Sequence, residues 1–121
     1  MKKILIVDDR EEVRDLVEAT LSRGDYEILK GTNGSQAVEI AQAHRPDLIL
    51  MDIMMPGPVD GLEATRIIKG DPGTRNCTVI LLTAKGQATD REQGIQAGAD
   101  EYFAKPFSPL ELLKKVEQVL G

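Results

Sequence analysis

The sequence predicts a doubly wound α/β sandwich, in which helices cover both faces of a parallel sheet. Short apolar and β-branched runs recur along the chain, and each is followed by a stretch with apolar residues at helical spacing. Five strands and five helices alternate in this way, without repeats, linkers or low-complexity tracts. Strands that are joined by crossover helices must run parallel, and the helices then cover the sheet.

The first half of the chain is assigned to three strands and two helices. Residues 4–7 form a β-branched run bounded by charge, which predicts a strand buried on both faces. The first helix is expected to start at a cap pattern made by Asp9 and Glu12. Its apolar positions are Val13, Leu16, Val17 and Leu21. The elements that follow are a strand at residues 26–29, a helix around residues 37–41 and a strand at residues 48–51.

The second half continues the alternation. A short helix at residues 62–69 is predicted to turn Ile67 and Ile68 inward, and a loop follows it. The remaining elements before the last helix are a strand at residues 78–82, a modest helix at residues 89–97 and a short strand at residues 101–104.

The final helix has the clearest start signal in the chain. Ser108 is its expected N-cap, with Pro109 at the first helical position and Glu111 three residues after the cap. Its core face is predicted to be Leu113, Val116 and Leu120, flanked by Leu112 and Val119.

Length and composition lead us to expect one globular domain over residues 1–121, with no second domain or linker. A chain of 121 residues with 41% hydrophobic and 29% charged residues can bury a core without disulfides. The net charge of −5 argues against nucleic-acid binding by the bulk surface. Cys77 is the single cysteine, which suits a reducing cytoplasm and an inert thiol. No apolar run suggests a signal peptide or a membrane span, so we expect a cytoplasmic protein.

Charged and polar residues follow four of the predicted strands. Asp8 and Asp9 come after the first strand, Asp52 after the third, Thr83 after the fourth and Lys105 after the fifth. Ligands of such sheets bind beyond the carboxyl ends of the strands. If the first and third strands are neighbours, the three carboxylates converge, and two charges ~4 Å apart repel by ~4 kcal/mol at an effective dielectric of 20. The site therefore needs a cation or raised pKa values.

The ligand chemistry favours a hard divalent ion and a phosphoryl group. Oxygen donors without histidine or cysteine favour Mg²⁺ over Ca²⁺, with Mn²⁺ as an alternative. An ion held by few protein ligands keeps open positions, which suits a phosphoryl group, and Lys105 and Thr83 could then contact its oxygens. Asp52 is the best-placed nucleophile, because an apolar strand fixes it, and its attack would give an aspartyl phosphate.

Four sequence segments carry a family resemblance. VDD at 7–9, LILMDIMMP at 48–56, LLTA at 81–84 and YFAKPF at 102–107 resemble the response-regulator receiver domain of two-component signalling, in order and at the expected spacings. The resemblance implies a flavodoxin-like sheet of five parallel strands in the order 2-1-3-4-5, with five helices in a three-layer α/β/α sandwich.

The resemblance also implies a role for each residue of the site. Asp52 would be the phosphoacceptor, Asp9 a direct Mg²⁺ ligand and Asp8 a ligand through metal-bound water. The main-chain carbonyl of Met54 would complete the metal site. Thr83 and Lys105 would contact the phosphoryl group, Lys105–Pro106 would be a cis peptide, and Tyr102 would be an aromatic switch coupled to Thr83.

The function that the resemblance implies is a phosphorylation-activated switch rather than a conventional enzyme. A sensor histidine kinase, a phosphotransfer protein or a small acyl phosphate would supply the phosphoryl group. Phosphorylation would alter the surface made by the fourth and fifth helices and the last strand, and this surface would regulate an unknown protein target. The protein itself would be a monomer or a phosphorylation-dependent dimer. No direct nucleic-acid or membrane partner is implied. One departure stands out, because nine residues rather than eight lead from Asp52 to Gly61.

Three other functions compete with this interpretation. A Mg²⁺-dependent phosphohydrolase would generally carry a second aspartate two residues after the nucleophile, where this chain has Met54. A flavin- or nucleotide-binding domain would need a phosphate loop after the first strand, where Asp8, Asp9, Glu11 and Glu12 would repel the anion. A docking module that never uses its phosphosite is disfavoured by the intact residue set.

Overall fold

A computed structural model describes residues 1–84, 88–105 and 107–121, with only the backbone of residues 84 and 88–91. Strands and helices alternate throughout, as the sequence predicts. In chain order they are β1 Lys2–Val7, α1 Glu11–Leu21, β2 Tyr26–Gly31, α2 Gly34–His44, β3 Leu48–Asp52, α3 Gly61–Gly70, β4 Thr78–Ala84, α4 Ala88–Ala97, β5 Glu101–Lys105 and α5 Pro109–Leu120.

The five strands form one parallel sheet in the order β2-β1-β3-β4-β5, which confirms the predicted fold class. β3 lies in the middle, where Met51 pairs with Val7 of β1 and Asp52 pairs with Leu82 of β4. All five residues of β3 are buried. The order places the carboxyl ends of β1 and β3 side by side, which is the condition that the convergence of the three aspartates requires.

Two apolar clusters pack on opposite faces of the sheet. One contains alternate strand residues such as Leu5, Ile49 and Leu81 together with residues of α2 and α3. The other contains the intervening strand residues together with residues of α1 and α5. Because side chains alternate between the faces of a strand, a central strand buried on both sides reads as a continuous apolar run.

The start of α1 differs from the sequence prediction. The N-cap is Arg10, and no side chain caps the helix, so the cap pattern assigned to Asp9 and Glu12 is wrong. The Asp8 carboxylate instead accepts the Arg10 amide at 2.9 Å, which forms a turn before the helix. Leu16 shares the predicted apolar spacing but is 49% exposed, because it lies at the edge of the face that Val17 buries.

In two helices, α3 and α5, the face that packs on the core differs slightly from the face that the sequence predicts. Ile68 is fully buried as predicted, but Ile67 is 37% exposed, since adjacent residues on a helix point about 100° apart. In α5 Val116 is buried as predicted, but the other buried residue is Leu112, which was expected at the flank of the core face. The predicted core residues Leu113 and Leu120 are partly buried and pack at the edge of the same cluster.

The longer loop between β3 and α3 is closed at its base. The Gly61 amide donates to the Ile53 carbonyl at 3.2 Å, and a Cβ on Gly61 would collide with the carbonyl oxygen of Asp52. Gly57 lies in the middle of the loop with a φ of 103°, and a Cβ there would meet no atom within 4 Å. Space is therefore open around Gly57 in the middle of the loop, whereas its base at Gly61 packs closely against the end of β3.

Candidate phosphoacceptor and metal site

Asp8, Asp9 and Asp52 converge at the carboxyl ends of β1 and β3. One carboxylate oxygen from each residue lies within 4.8 Å of those of the other two. Asp8 is fully buried and Asp52 is 7% exposed, whereas Asp9 is exposed on the loop before α1. The sequence prediction that these three side chains meet is correct.

Lys105, at the end of β5, compensates part of this negative charge. Its Nζ lies 3.0 Å from Asp8 Oδ2 and 3.5 Å from Asp52 Oδ1. The lysine side chain is 18% exposed, so both ion pairs lie where solvent screens them only partly. Because one ammonium faces two carboxylates, the cluster keeps a net negative charge.

The surroundings of Asp52 make its ionised form less favourable than that of a solvent-exposed aspartate. Burial is the largest influence and raises the pKa of Asp52, and the neighbouring Asp8 raises it further. Lys105 and the Met54 amide act in the opposite direction. The Met54 amide donates to Oδ1 at 3.4 Å, and Lys105 faces the same oxygen. Among the described residues, Oδ2 therefore has no hydrogen-bond donor.

A cleft of about 620 Å³ opens over the cluster. Its polar wall includes Asp9, Asp52, Arg10 and Lys105, and its remaining wall is apolar. The apolar lining residues are Val13, Leu16, Ile53, Met54 and Phe107. The Met54 side chain is 72% exposed at the edge of this cleft, so a partner that approaches Asp52 would contact it.

Thr83 and Tyr102, two other predicted site residues, do not line the cleft. Thr83 is buried in β4, one residue beyond Leu82, the strand partner of Asp52. Tyr102 is half-buried in β5, pairs with Leu81 and packs against the cluster on the α2 and α3 face. Pro106 is outside the described residues, and the predicted Lys105–Pro106 cis peptide lies there with it.

Two arginines of the site were missed by the sequence reasoning. The Arg10 Nε lies 3.7 Å from Asp8 Oδ1. The Arg14 Nη1 donates to the main-chain carbonyl of Asp8 at 2.7 Å. Side chains on a helix lean toward its N-terminus, so an arginine in the second turn of the predicted helix is a signal that could have identified Arg14.

The donor set fits a hard divalent cation. Three carboxylates with no described histidine or cysteine among them match the oxygen ligands that Mg²⁺ prefers. Asp52 and Asp9 line the open cleft, so an ion there could keep water molecules and bind a phosphoryl group as well. A divalent charge would also relieve the repulsion between Asp8 and Asp52.

The predicted inert character of Cys77 is consistent with the structure. Cys77 is buried, and burial raises the pKa of its thiol, as expected for an unreactive cysteine. In the described part of the chain, no helix combines the length and apolar character of a membrane span.

The chain matches a protein-family model of the response regulator receiver domain over residues 4–117. The phosphate regulon transcriptional regulatory protein PhoB of Pseudomonas aeruginosa is 43% identical over 119 residues. That alignment covers 98% of this chain and 52% of PhoB. The chain thus spans about half the length of the curated relatives it matches.

The solved structures that this chain resembles are also receiver domains or response regulators. The receiver domain of the sensor histidine kinase PA1611 from Pseudomonas aeruginosa, which has a magnesium ion coordinated in its active-site cleft, is 38% identical with a TM-score of 0.90. The chemotaxis protein CheY4 of Vibrio cholerae is 31% identical, also with a TM-score of 0.90. The alignments cover 99% of this chain and 98% of the PA1611 domain, and 98% of both chains for CheY4.

Proposed function

The chain belongs to the response regulator receiver domain family, and from that premise we propose that it is a signalling switch activated by phosphorylation of Asp52. The observation that carries the proposal is the placement of Asp52. Its carboxylate ends the central buried strand, has a free Oδ2 among the described residues, and lies within reach of two further aspartates and Lys105.

The phosphoryl donor is a histidine kinase or a phosphotransfer protein, and small acyl phosphates can replace it. Asp52 Oδ2 attacks the phosphorus of the donor phosphohistidine, and a new O–P bond forms as the P–N bond breaks. The electron pair of that bond leaves on the imidazole nitrogen, which takes up a proton. Later attack of water on the phosphorus breaks its bond to Asp52 Oδ2 and returns the Asp52 carboxylate and inorganic phosphate. The phosphorylated chain is itself the signal and not a step toward a released product, so the protein is not a conventional enzyme in this proposal.

Asp9, Asp52 and the Met54 carbonyl would hold Mg²⁺ in this proposal, and Asp8 would contribute through a water molecule. The bound ion supplies charge neutralisation for the phosphoryl oxygens. The magnesium in the PA1611 domain supports this choice of ion, and no comparison supports Mn²⁺. Lys105 is already positioned by Asp8 to meet a phosphoryl oxygen.

The output of the switch is a change in the surface made by α4, β5 and α5. Phosphorylation adds about −1.5 to −2 charges to the site. Lys105 and Thr83 contact the phosphoryl group in this proposal, and Tyr102 reports the change through β5. Since several relatives are transcriptional regulatory proteins, the target that this surface controls regulates transcription in this proposal. The proposed location is the cytoplasm.

The proposal is tested by incubation with acetyl phosphate and Mg²⁺, followed by mass measurement of the intact protein. The wild type should gain the mass of one phosphoryl group, and Asp52→Asn should gain none. Asp25→Asn is the matched control, because Asp25 is an exposed aspartate in the α1–β2 connection. Absence of phosphoryl mass on the wild type would favour a phosphorylation-independent docking module instead.

A further inference from the structure

The position of Asp9 depends on the backbone that carries it. Asp9 is exposed on the loop between β1 and α1, and no hydrogen bond among the described residues ends on its carboxylate. The N-cap Arg10 makes no side-chain cap, so the start of α1 does not anchor this loop through a capping bond. Another contact must hold the loop in place.

Besides the ion pairs of its carboxylate with Lys105 and Arg10, three hydrogen bonds of Asp8 supply that anchor. The Asp8 amide donates to the Gly31 carbonyl at 3.2 Å, and the Arg10 amide donates to the Asp8 carboxylate at 2.9 Å. The shortest contact is the one from Arg14, whose Nη1 donates to the Asp8 carbonyl at 2.7 Å. Its donor is charged, so it is a charge-assisted hydrogen bond, as is the bond from the Arg10 amide to the Asp8 carboxylate.

The Arg14 contact acts on the peptide group that joins Asp8 to Asp9. A donor fixed on the carbonyl of Asp8 sets the orientation of this peptide plane, and the plane sets the direction in which the next residue leaves the strand. Arg14 is half-buried on α1, so its side chain ties the helix to the end of β1. The bond therefore helps to fix where the main chain of Asp9 lies, and so the point from which its exposed carboxylate extends.

We propose that Arg14 is a positioning residue for the divalent-ion site, acting on Asp9 through the Asp8 carbonyl without contacting the ion. This inference rests on the proposed metal site. It assigns Arg14 the role of an outer-shell partner, a group that orients a ligand and thereby sets metal affinity. Loss of such a partner typically weakens metal binding about tenfold or more.

Charge and position predict opposite effects, which makes the proposal testable. Removal of a positive charge beside a cation site would strengthen cation binding if charge alone mattered. Loss of positioning weakens it. Arg14→Met should therefore bind Mg²⁺ about tenfold more weakly than the wild type. Arg14→Lys keeps the charge but loses the planar donor group, and it should fall between the two.

The measurement is a Mg²⁺ titration followed by backbone amide NMR, on the wild type and on three variants. Arg23→Met is the matched control, because Arg23 is an exposed arginine just beyond the far end of α1. The free energy of unfolding is measured with EDTA and with excess Mg²⁺ on each protein. A merely structural role would lower both values equally, whereas a positioning role reduces the increment that Mg²⁺ adds.

Equal or tighter Mg²⁺ binding by Arg14→Met would overturn the proposal, as would an equal loss in Arg23→Met. If Arg14→Met does not fold, Arg14→Lys decides: weaker binding supports the role, and wild-type affinity overturns it. Failure of the wild type to bind Mg²⁺ would instead overturn the proposed metal site, and the positioning role with it. The two failures are thus distinguishable.

Discussion

At the scale of single residues, the site is built around carboxylates that would repel one another without a cation. Asp8 is fully buried, and Lys105 Nζ reaches it at 3.0 Å while lying 3.5 Å from Asp52. Lys105 therefore stabilises the folded protein by pairing with a buried carboxylate, and it also belongs to the proposed phosphoryl site. An incoming phosphoryl group would compete with Asp8 for the same ammonium, which links phosphorylation to the internal balance of charge.

Lys105→Met should destabilise the protein. The substitution removes the positive charge closest to the buried Asp8 carboxylate, and the expected loss is about 2 kcal/mol of unfolding free energy. Breaking a fully buried ion pair costs ~3–5 kcal/mol. The loss is smaller here because Lys105 is partly exposed and Arg10 stays near Asp8. Urea unfolding measures the change. Lys114→Met, at an exposed position of α5, is the control and should be nearly neutral. Equal stability of the two variants would contradict the role given to Lys105.

Asp52→Asn should stabilise the protein near neutral pH in the absence of divalent ions, by on the order of 1 kcal/mol. Burial raises the pKa of Asp52 in the folded state, so ionisation of this group costs stability as the pH rises through that pKa. Below the unfolded-state pKa both states are protonated, and the penalty is absent. Urea unfolding across the acidic and neutral range should show the gain shrink as the pH falls. A variant less stable than the wild type at neutral pH would refute this account.

At the scale of elements, the type and order of the strands and helices could be predicted, and the rotation of the helices could not. Strand residues repeat every second position, so an apolar run such as that of β3 determines burial on both faces. On a helix, two adjacent apolar residues such as Ile67 and Ile68 fit the same pattern almost equally well. Tertiary packing then decides which of them faces the core, and in α3 it favours Ile68.

Two glycines of α3 should respond in opposite ways to substitution by alanine. A Cβ on Gly61 would collide with the Asp52 carbonyl, whereas a Cβ on Gly70 would meet no atom within 4 Å. Gly61→Ala should cost about 1–3 kcal/mol, because the backbone of the β3–α3 connection must move. Gly70→Ala should be neutral or gain up to about 1 kcal/mol. Chemical denaturation of both variants checks the pair, and equal effects would show that the close approach is not important.

At the scale of the whole molecule, the strand order creates the site. The order β2-β1-β3-β4-β5 brings the ends of β1, β3 and β5 to one edge of the sheet. Ligands of parallel sheets bind beyond the carboxyl ends of the strands, and this rule allowed four site residues to be predicted from sequence: Asp8, Asp9, Asp52 and Lys105. The Arg14 contact could not be predicted in the same way, because it joins a side chain to a main-chain carbonyl whose direction depends on the conformation of the loop.

Mg²⁺ should stabilise the whole fold through this edge. At a Mg²⁺ concentration about 100 times its dissociation constant, the free energy of unfolding should rise by about 2.7 kcal/mol. Asp9→Asn should lose most of this increment while the metal-free protein keeps or gains stability, because Asp9 is exposed and its carboxylate lies within 4.8 Å of those of Asp8 and Asp52. Thermal or urea unfolding with and without Mg²⁺ measures both. An undiminished increment in Asp9→Asn would exclude Asp9 as a direct ligand.

The most direct test of the central claim is to locate the phosphoryl group on the chain. Borohydride reduces an aspartyl phosphate to homoserine, which marks the modified residue permanently. After incubation with acetyl phosphate and Mg²⁺, reduction and peptide mass spectrometry should find homoserine at position 52 and at no other aspartate. Homoserine at another aspartate, or none with the phosphoryl mass present on the intact protein, would contradict the assignment of Asp52 as the phosphoacceptor.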